Sequence, residues 1–143
     1  RSLNFSCFYR VIDANLNRSR EGLKVCEDIS RFILEDKRLT NELRNLRHAL
    51  TKTIESFGFS ELLENRDIIN DIGKALSIEK YKGNVQDVFL SNIQRSKESI
   101  RVLEEIARIY DISVSGKFRL IRFRIYNIEK LAYERIQVIC HHR

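Results

Sequence analysis

The sequence predicts an all-α fold, with four principal helices forming two related hairpins in one bundle. Three observations carry this prediction. Proline is absent and glycine contributes five of 143 residues, whereas a sandwich or barrel draws on Gly, Pro, Asn and Asp for frequent turns. Apolar residues recur at three-four spacing, the period of a helix with one buried face. The chain is also similar to itself. Asn15 to Phe32 (NLNRSREGLKVCEDISRF) aligns with Asn92 to Ile109 (NIQRSKESIRVLEEIARI) at a constant offset, with identities at Asn15/Asn92, Arg18/Arg95, Ser19/Ser96, Glu21/Glu98, Val25/Val102 and Glu27/Glu104. That agreement exceeds what shared helical composition supplies.

The elements follow in order. Ile12, Leu16, Ser19, Leu23, Cys26, Ser30 and Ile33 mark the first helical stripe. Leu39, Leu43, Leu46, Leu50, Ile54 and Phe57 mark the second, with Gly58 as a plausible stop. Phe89, Ile93, Ser96, Ile100, Leu103, Ala107 and Tyr110 mark the third. After Gly116 comes a fourth stripe, Phe118, Ile121, Ile125, Ile128 and Leu131. Leu43–Leu50 matches Phe118–Ile125 only after a two-residue slip relative to the first pair of helices. The expected organisation is a single domain over 1–143, with internal repeats at about 9–58 and 86–132. An irregular crossover at about 60–85 joins them. Two repeats are too few for a solenoid, so the hairpins are expected to close on each other as a four-helix bundle.

Composition narrows the function classes. The chain is 43% apolar and 32% charged, which fits neither a disordered tail nor a membrane protein. No apolar run reaches spanning length and no leader-like apolar core opens the sequence, so a cytoplasmic protein is expected. The formal net charge is +6. Acids and bases interleave without a sustained basic run, so a nucleic-acid partner is not expected. The three cysteines, Cys7, Cys26 and Cys140, are far apart and form no zinc-binding spacing. Cys26 falls on a helical stripe as a small core residue, and Cys140–His141–His142 reads as a frayed end.

Several polar residues look out of place. Positions 15, 18, 22, 25, 29 and 32 share one side of a helix and read Asn, Arg, Gly, Val, Ile, Phe; the second copy reads Asn92, Arg95, Ser99, Val102, Ile106, Ile109. In both copies the later half looks like core, and the earlier half offers an amide and a guanidinium beside a small residue. Such a pair can orient a phosphate or a polar heteroaromatic ring, or it can tie helices together through side-chain hydrogen bonds. Glu21, Glu27, Asp28, Glu98, Glu104 and Glu105 lie three or four residues from basic partners, which is the spacing of ordinary, mostly solvated ion pairs. Arg47 and Arg122 are equivalent in the two copies and adjoin core positions. His48 is the only histidine inside the regular structure, and either a structural or a proton-carrying role fits it. No phosphate loop, dinucleotide fingerprint, His-Glu-x-x-His or nucleophile elbow is present.

The opening Tyr9-Arg10-Val11-Ile12-Asp13-Ala14-Asn15-Leu16-Asn17-Arg18-Ser19-Arg20-Glu21-Gly22-Leu23-Lys24-Val25 resembles that of the helical domain fused in front of thiamine-phosphate synthase in some bacteria, a domain also found as a separate protein. The resemblance continues through Leu46-Arg47-His48, Arg66-Asp67, Asp71-Ile72-Gly73 and Asn92 to Glu105, and ends at Arg122-Phe123 with Tyr126 and Glu129. Lys24 departs from the family's usual arginine, and Phe123 carries no hydroxyl.

The resemblance implies a role in thiamine biosynthesis, on the pyrimidine side. The synthase proper is a β/α barrel, which a helical chain of this length is not expected to form. The helical domain is associated instead with phosphorylation of hydroxymethylpyrimidine or its monophosphate. On this reading Asn15, Arg18, Asn92 and Arg95 line a polar pocket, with Arg47, Arg66 and Arg122 binding phosphate. Asp13 belongs to the same substrate set, and Asp67 and Asp71 are the catalytic candidates that hold metal or orient the hydroxyl. The first four are expected to converge with Arg66–Gly73 on one cavity. ATP and magnesium would be the cofactors, and a small pyrimidine or its phosphate the ligand. The alternative is a non-catalytic helical module that dimerises or docks on thiamine-phosphate synthase.

Overall fold

The computed structural model describes residues 5–56 and 83–141, and all regular structure within them is helical. The expected crossover at 60–85 lies almost wholly outside the described residues, as do Phe57 and Gly58. α1 spans Phe5–Asp28 and runs into a single π-helical turn, Ile29–Ile33; α2 spans Lys37–Ser56, α3 Val85–Tyr110 and α4 Ile112–His141. Each helix touches two others, α1 lying against α2 and α3, and α4 against α3 and α2. The result is a closed four-helix ring with the apolar stripes turned inward.

The stripes are largely those the spacing predicts. Leu16, Leu23, Leu43, Leu46, Phe89, Ile93, Ile100 and Ile125 are all buried, and so is Cys26. The thiol of Cys26 donates to the Phe89 carbonyl at 3.4 Å, and burial pushes its pKa upward, so it packs as an inert small residue. Three positions differ from expectation, one of them Tyr110 at the end of the third stripe, which is exposed. Ile33 is 54% exposed while Leu34 is buried, because the π turn inserts one extra residue and rotates the following side chains off the α-helical register. Leu131 only flanks the core, and Ala132 and Ile136 continue the α4 stripe in its place.

The two-residue slip sits in the links between paired helices. Leu34–Asp36 joins the first pair, whereas Asp111 alone joins the second. Both links end on an aspartate that caps the next helix: Asp36 Oδ1 accepts from the Leu39 N–H at 3.0 Å, and Asp111 Oδ1 from Ser113 N–H at 2.9 Å. The longer link bends through Glu35, whose φ of 51° lies in the left-handed region. Gly116, expected to precede the last helix, lies one turn inside α4, because the Asp111 cap starts the helix earlier. At the head of α3, Asn84 and Asp87 cap each other reciprocally, Asp87 N–H to Asn84 Oδ1 at 2.9 Å and Asn84 N–H to Asp87 Oδ2 at 3.3 Å.

Candidate functional site at the α1–α3 seam

α1 and α3 cross antiparallel along a line of small residues. Ser96 Oγ donates to the Ser19 carbonyl at 3.0 Å, and Gly22 lies against Ser96 and the Asn92 carbonyl. Ser19 and Ser96 are the same position in the two copies, so the seam is centred on a contact between equivalents. The sequence similarity between the halves has a counterpart in hydrogen bonding. Asn15 Nδ2 donates to the Val11 carbonyl and Asn92 Nδ2 to the Val88 carbonyl, both at 2.8 Å. Asn15 is buried and Asn92 partly so. Each amide thus spends one donor on its own helix.

Arg18 and Arg95 follow from this geometry. Each precedes a seam serine by one residue, which turns its side chain about 100° round the helix. Both are exposed, and among the described residues neither meets a carboxylate. The antiparallel register places them at equivalent positions one residue to either side of the Ser19–Ser96 contact. Of the later half of this face, expected to be core, Ile29 is buried and Val25 and Ile106 pack against the core, whereas Val102, Phe32 and Ile109 are exposed, at 37%, 65% and 61%. α2 and α4 close the bundle from the opposite side and leave this face uncovered by any described helix. Asp13 is partly buried on α1.

Arg47 and Arg122 do something else. Arg47 Nε donates to Glu27 at 3.0 Å, and Arg44 Nε reaches the other carboxylate oxygen at 3.0 Å. In the second half Arg122 Nε donates to Glu104 at 3.0 Å. Glu27 is 1% exposed and Glu104 6%, so these are buried cross-helix pairs rather than the solvated intrahelical pairs that their spacing suggested. Lys24–Asp28 and Arg101–Glu105 do form exposed intrahelical pairs. Burial alone would raise the pKa of the Glu27 carboxyl, but hydrogen bonds from Arg47 and Arg44 outweigh it and hold the group below its ordinary value. Hydrogen bonding to Glu104 likewise raises the pKa of Arg122. Arg47 and Arg122, expected to bind phosphate, thus each spend part of their guanidinium on a buried carboxylate, a structural role that their spacing did not suggest. The sequence signal was present, since Glu27/Glu104 and Arg47/Arg122 recur as a set in both copies.

The remaining candidates, Arg66, Asp67 and Asp71, lie outside the described residues, and so does the rest of the Arg66–Gly73 segment. Among the described residues no group of His, Cys, Asp or Glu is arranged to hold a metal ion, and no helix is long and apolar enough to cross a membrane. His48 is exposed on α2.

The architecture is that of an all-α domain whose two hairpins share a polar seam and a repeated buried Glu–Arg pair. The chain belongs to the ThiD2 family, whose model matches residues 10–131. It is similar to proteins named thiamine-phosphate synthase. It is 36% identical to one from Synechocystis sp. over 122 residues, which cover 84% of this chain and 34% of that protein. A relative from Nostoc punctiforme is 33% identical over 92% of this chain and 37% of its own length. One from Rhodopirellula baltica is 31% identical over 82% and 32% respectively. This chain therefore spans about a third of the length of the curated relatives it matches. No solved structure matches it.

Proposed function

We propose that this domain binds hydroxymethylpyrimidine or its monophosphate at the α1–α3 seam and transfers a phosphoryl group to it, with ATP and magnesium as cofactors. The observation that carries the reading is the pair Arg18 and Arg95, two exposed guanidinium groups set across a seam without a carboxylate among the described residues. Two like charges held side by side favour an anion between them, and guanidinium groups match phosphate oxygens in bidentate geometry. They would neutralise charge on the transferring group. Asn15 and Asn92 would orient the ring, and Val25 and Val102 would supply apolar walls. Asp67 or Asp71 would orient the accepting hydroxyl or hold the metal. The synthase name of the relatives belongs to proteins about three times as long, and a four-helix ring has no β/α barrel in which to run the coupling reaction.

A second reading, a non-catalytic module docking on thiamine-phosphate synthase, is favoured by one observation: the relatives carry this region within a longer chain of that name. The two readings separate in one assay. Folded protein is incubated with ATP, magnesium and either hydroxymethylpyrimidine or its monophosphate, and phosphorylated product is measured. The kinase reading expects product, and Arg18→Ala and Arg95→Ala should each weaken phosphate binding with helical content retained. No product and no calorimetric binding of either pyrimidine leaves the docking module. Product from the thiazole-coupling assay overturns the exclusion of the synthase reaction.

A further inference from the structure

The basic surplus of the chain is segregated by helix pair. α1 and α3 each carry four basic and four acidic side chains, so each is neutral. α2 carries five Lys/Arg against two Glu, and α4 six against two. Once Arg44, Arg47 and Arg122 are set against Glu27 and Glu104, eight Lys/Arg side chains still face four carboxylates on α2 and α4, against eight facing six on α1 and α3. An interleaved sequence has thus folded into a domain whose α2–α4 side is the more basic, which concentrates anions there.

That side contains a groove of about 550 Å³ between α2 and α4, within the size range of small-ligand sites. Its walls are Arg38 and Glu42 from α2, and Arg124, Asn127, Lys130 and Glu134 from α4. Ile128 and Leu131 line it as well. Arg38 is engaged by Glu42 at 3.4 Å, an exposed pair one helical turn apart that an incoming anion can displace at little cost. Among the described residues Arg124 and Lys130 meet no carboxylate, although both line the groove. Glu42 and Glu134 oppose an anion in the groove, against three cations and the neutral donor of the Asn127 amide.

We propose that this α2–α4 groove binds an oligophosphate anion, held by Arg124, Lys130 and Arg38. α1–α3 and α2–α4 lie on opposite sides of the closed ring, so this ligand is separate from anything bound between Arg18 and Arg95. The groove does not supply the phosphoryl group to that seam directly.

The test is calorimetric titration of the folded chain with inorganic tripolyphosphate, with ATP as a second arm. Binding is expected to weaken as salt rises. Arg124→Ala and Lys130→Ala should each lose about tenfold in affinity, as expected for removal of one charge-assisted contact. Arg124→Lys should lose less, because it keeps the charge. Equal affinity for both ligands assigns the oligophosphate group itself; tighter ATP binding that Arg124→Ala and Lys130→Ala weaken assigns the groove to a nucleotide, and ATP binding that neither variant weakens counts against the groove. Lys52→Ala, an exposed lysine of α2 outside the groove, should leave this titration unchanged. The proposal is overturned if tripolyphosphate does not bind, or if Arg124→Ala/Lys130→Ala binds it like the unaltered chain while Arg18→Ala does not.

Discussion

Gly22 and Gly116 are both helical glycines, and replacing each with alanine should move stability in opposite directions. Intrinsic propensity favours alanine at either position by about 1 kcal/mol. Gly116 is exposed on α4, and a Cβ there meets nothing within 4 Å, so Gly116→Ala should realise that gain. Gly22 sits in the α1–α3 seam. A Cβ on it would stand 2.7 Å from the Asn92 carbonyl oxygen and also collide with Ser96 Oγ. The hydroxyl could rotate, at the expense of its bond to Ser19, but the carbonyl belongs to the backbone of α3 and cannot. The two helices would have to separate, and overpacking of this kind costs about 1–3 kcal/mol. At the upper end of that range, because backbone opposes backbone, the net effect of Gly22→Ala is a loss of about 2 kcal/mol. For a chain of this size each kcal/mol corresponds to about 4 °C in Tm. Thermal unfolding followed by circular dichroism should therefore show Gly22→Ala melting about 8 °C lower and Gly116→Ala about 4 °C higher than the parent. A Gly22→Ala protein as stable as the parent would refute the close helix crossing, and with it the juxtaposition of Arg18 and Arg95.

The buried ion pairs support two further predictions, and a buried hydroxyl supports a third. Arg122→Ala strands Glu104 and should cost about 3–5 kcal/mol, whereas Arg47→Ala leaves Glu27 with Arg44 and should cost markedly less in urea unfolding; equal losses would contradict the geometry. Because Glu27 has a lowered pKa in the folded chain, its contribution is present above the ordinary value of 4.5 and is lost as pH falls through the folded value. Stability measured from pH 6 down to pH 3 should accordingly fall less steeply in Glu27→Gln than in the parent, and parallel profiles would count against the pairing. Ser30 Oγ is buried within the π turn without a hydrogen-bond partner, where the second copy has Ala107. Ser30→Ala should raise stability by about 1 kcal/mol in urea unfolding, and a loss of similar size would reveal a partner for the hydroxyl.

Much of the molecule was legible before folding was considered. Four helices, their inward stripes and the correspondence between halves follow from period, from the scarcity of turn residues and from self-similarity, all of which act locally along the chain. The capping box Asn84-x-x-Asp87 was also readable in principle, since its signal lies within four residues. The family was legible for the same reason, because ordered short motifs such as Asp13-Ala14-Asn15-Leu16 survive in the linear sequence.

Tertiary structure decided whatever depended on which helix faces which. Glu27 has a basic neighbour on its own helix, Lys24, at ordinary ion-pair spacing, yet it is Arg44 and Arg47, on another helix, that hold it out of water. Arg47 and Arg18 each stand beside a stripe position in the sequence, Leu46 and Ser19. One is turned to a buried carboxylate and the other to solvent, a difference set by rotation about the helix axis and by the neighbouring helix. Ile33 and Leu34 exchanged roles because a single π turn shifts the register, and hydrophobic periodicity carries no trace of it. The interleaved charges read as neutral decoration until the helix order placed two neutral helices on one side and two basic helices on the other. Spacing along a chain specifies which residues share a face, whereas the charge and shape of a site depend on the faces brought opposite it.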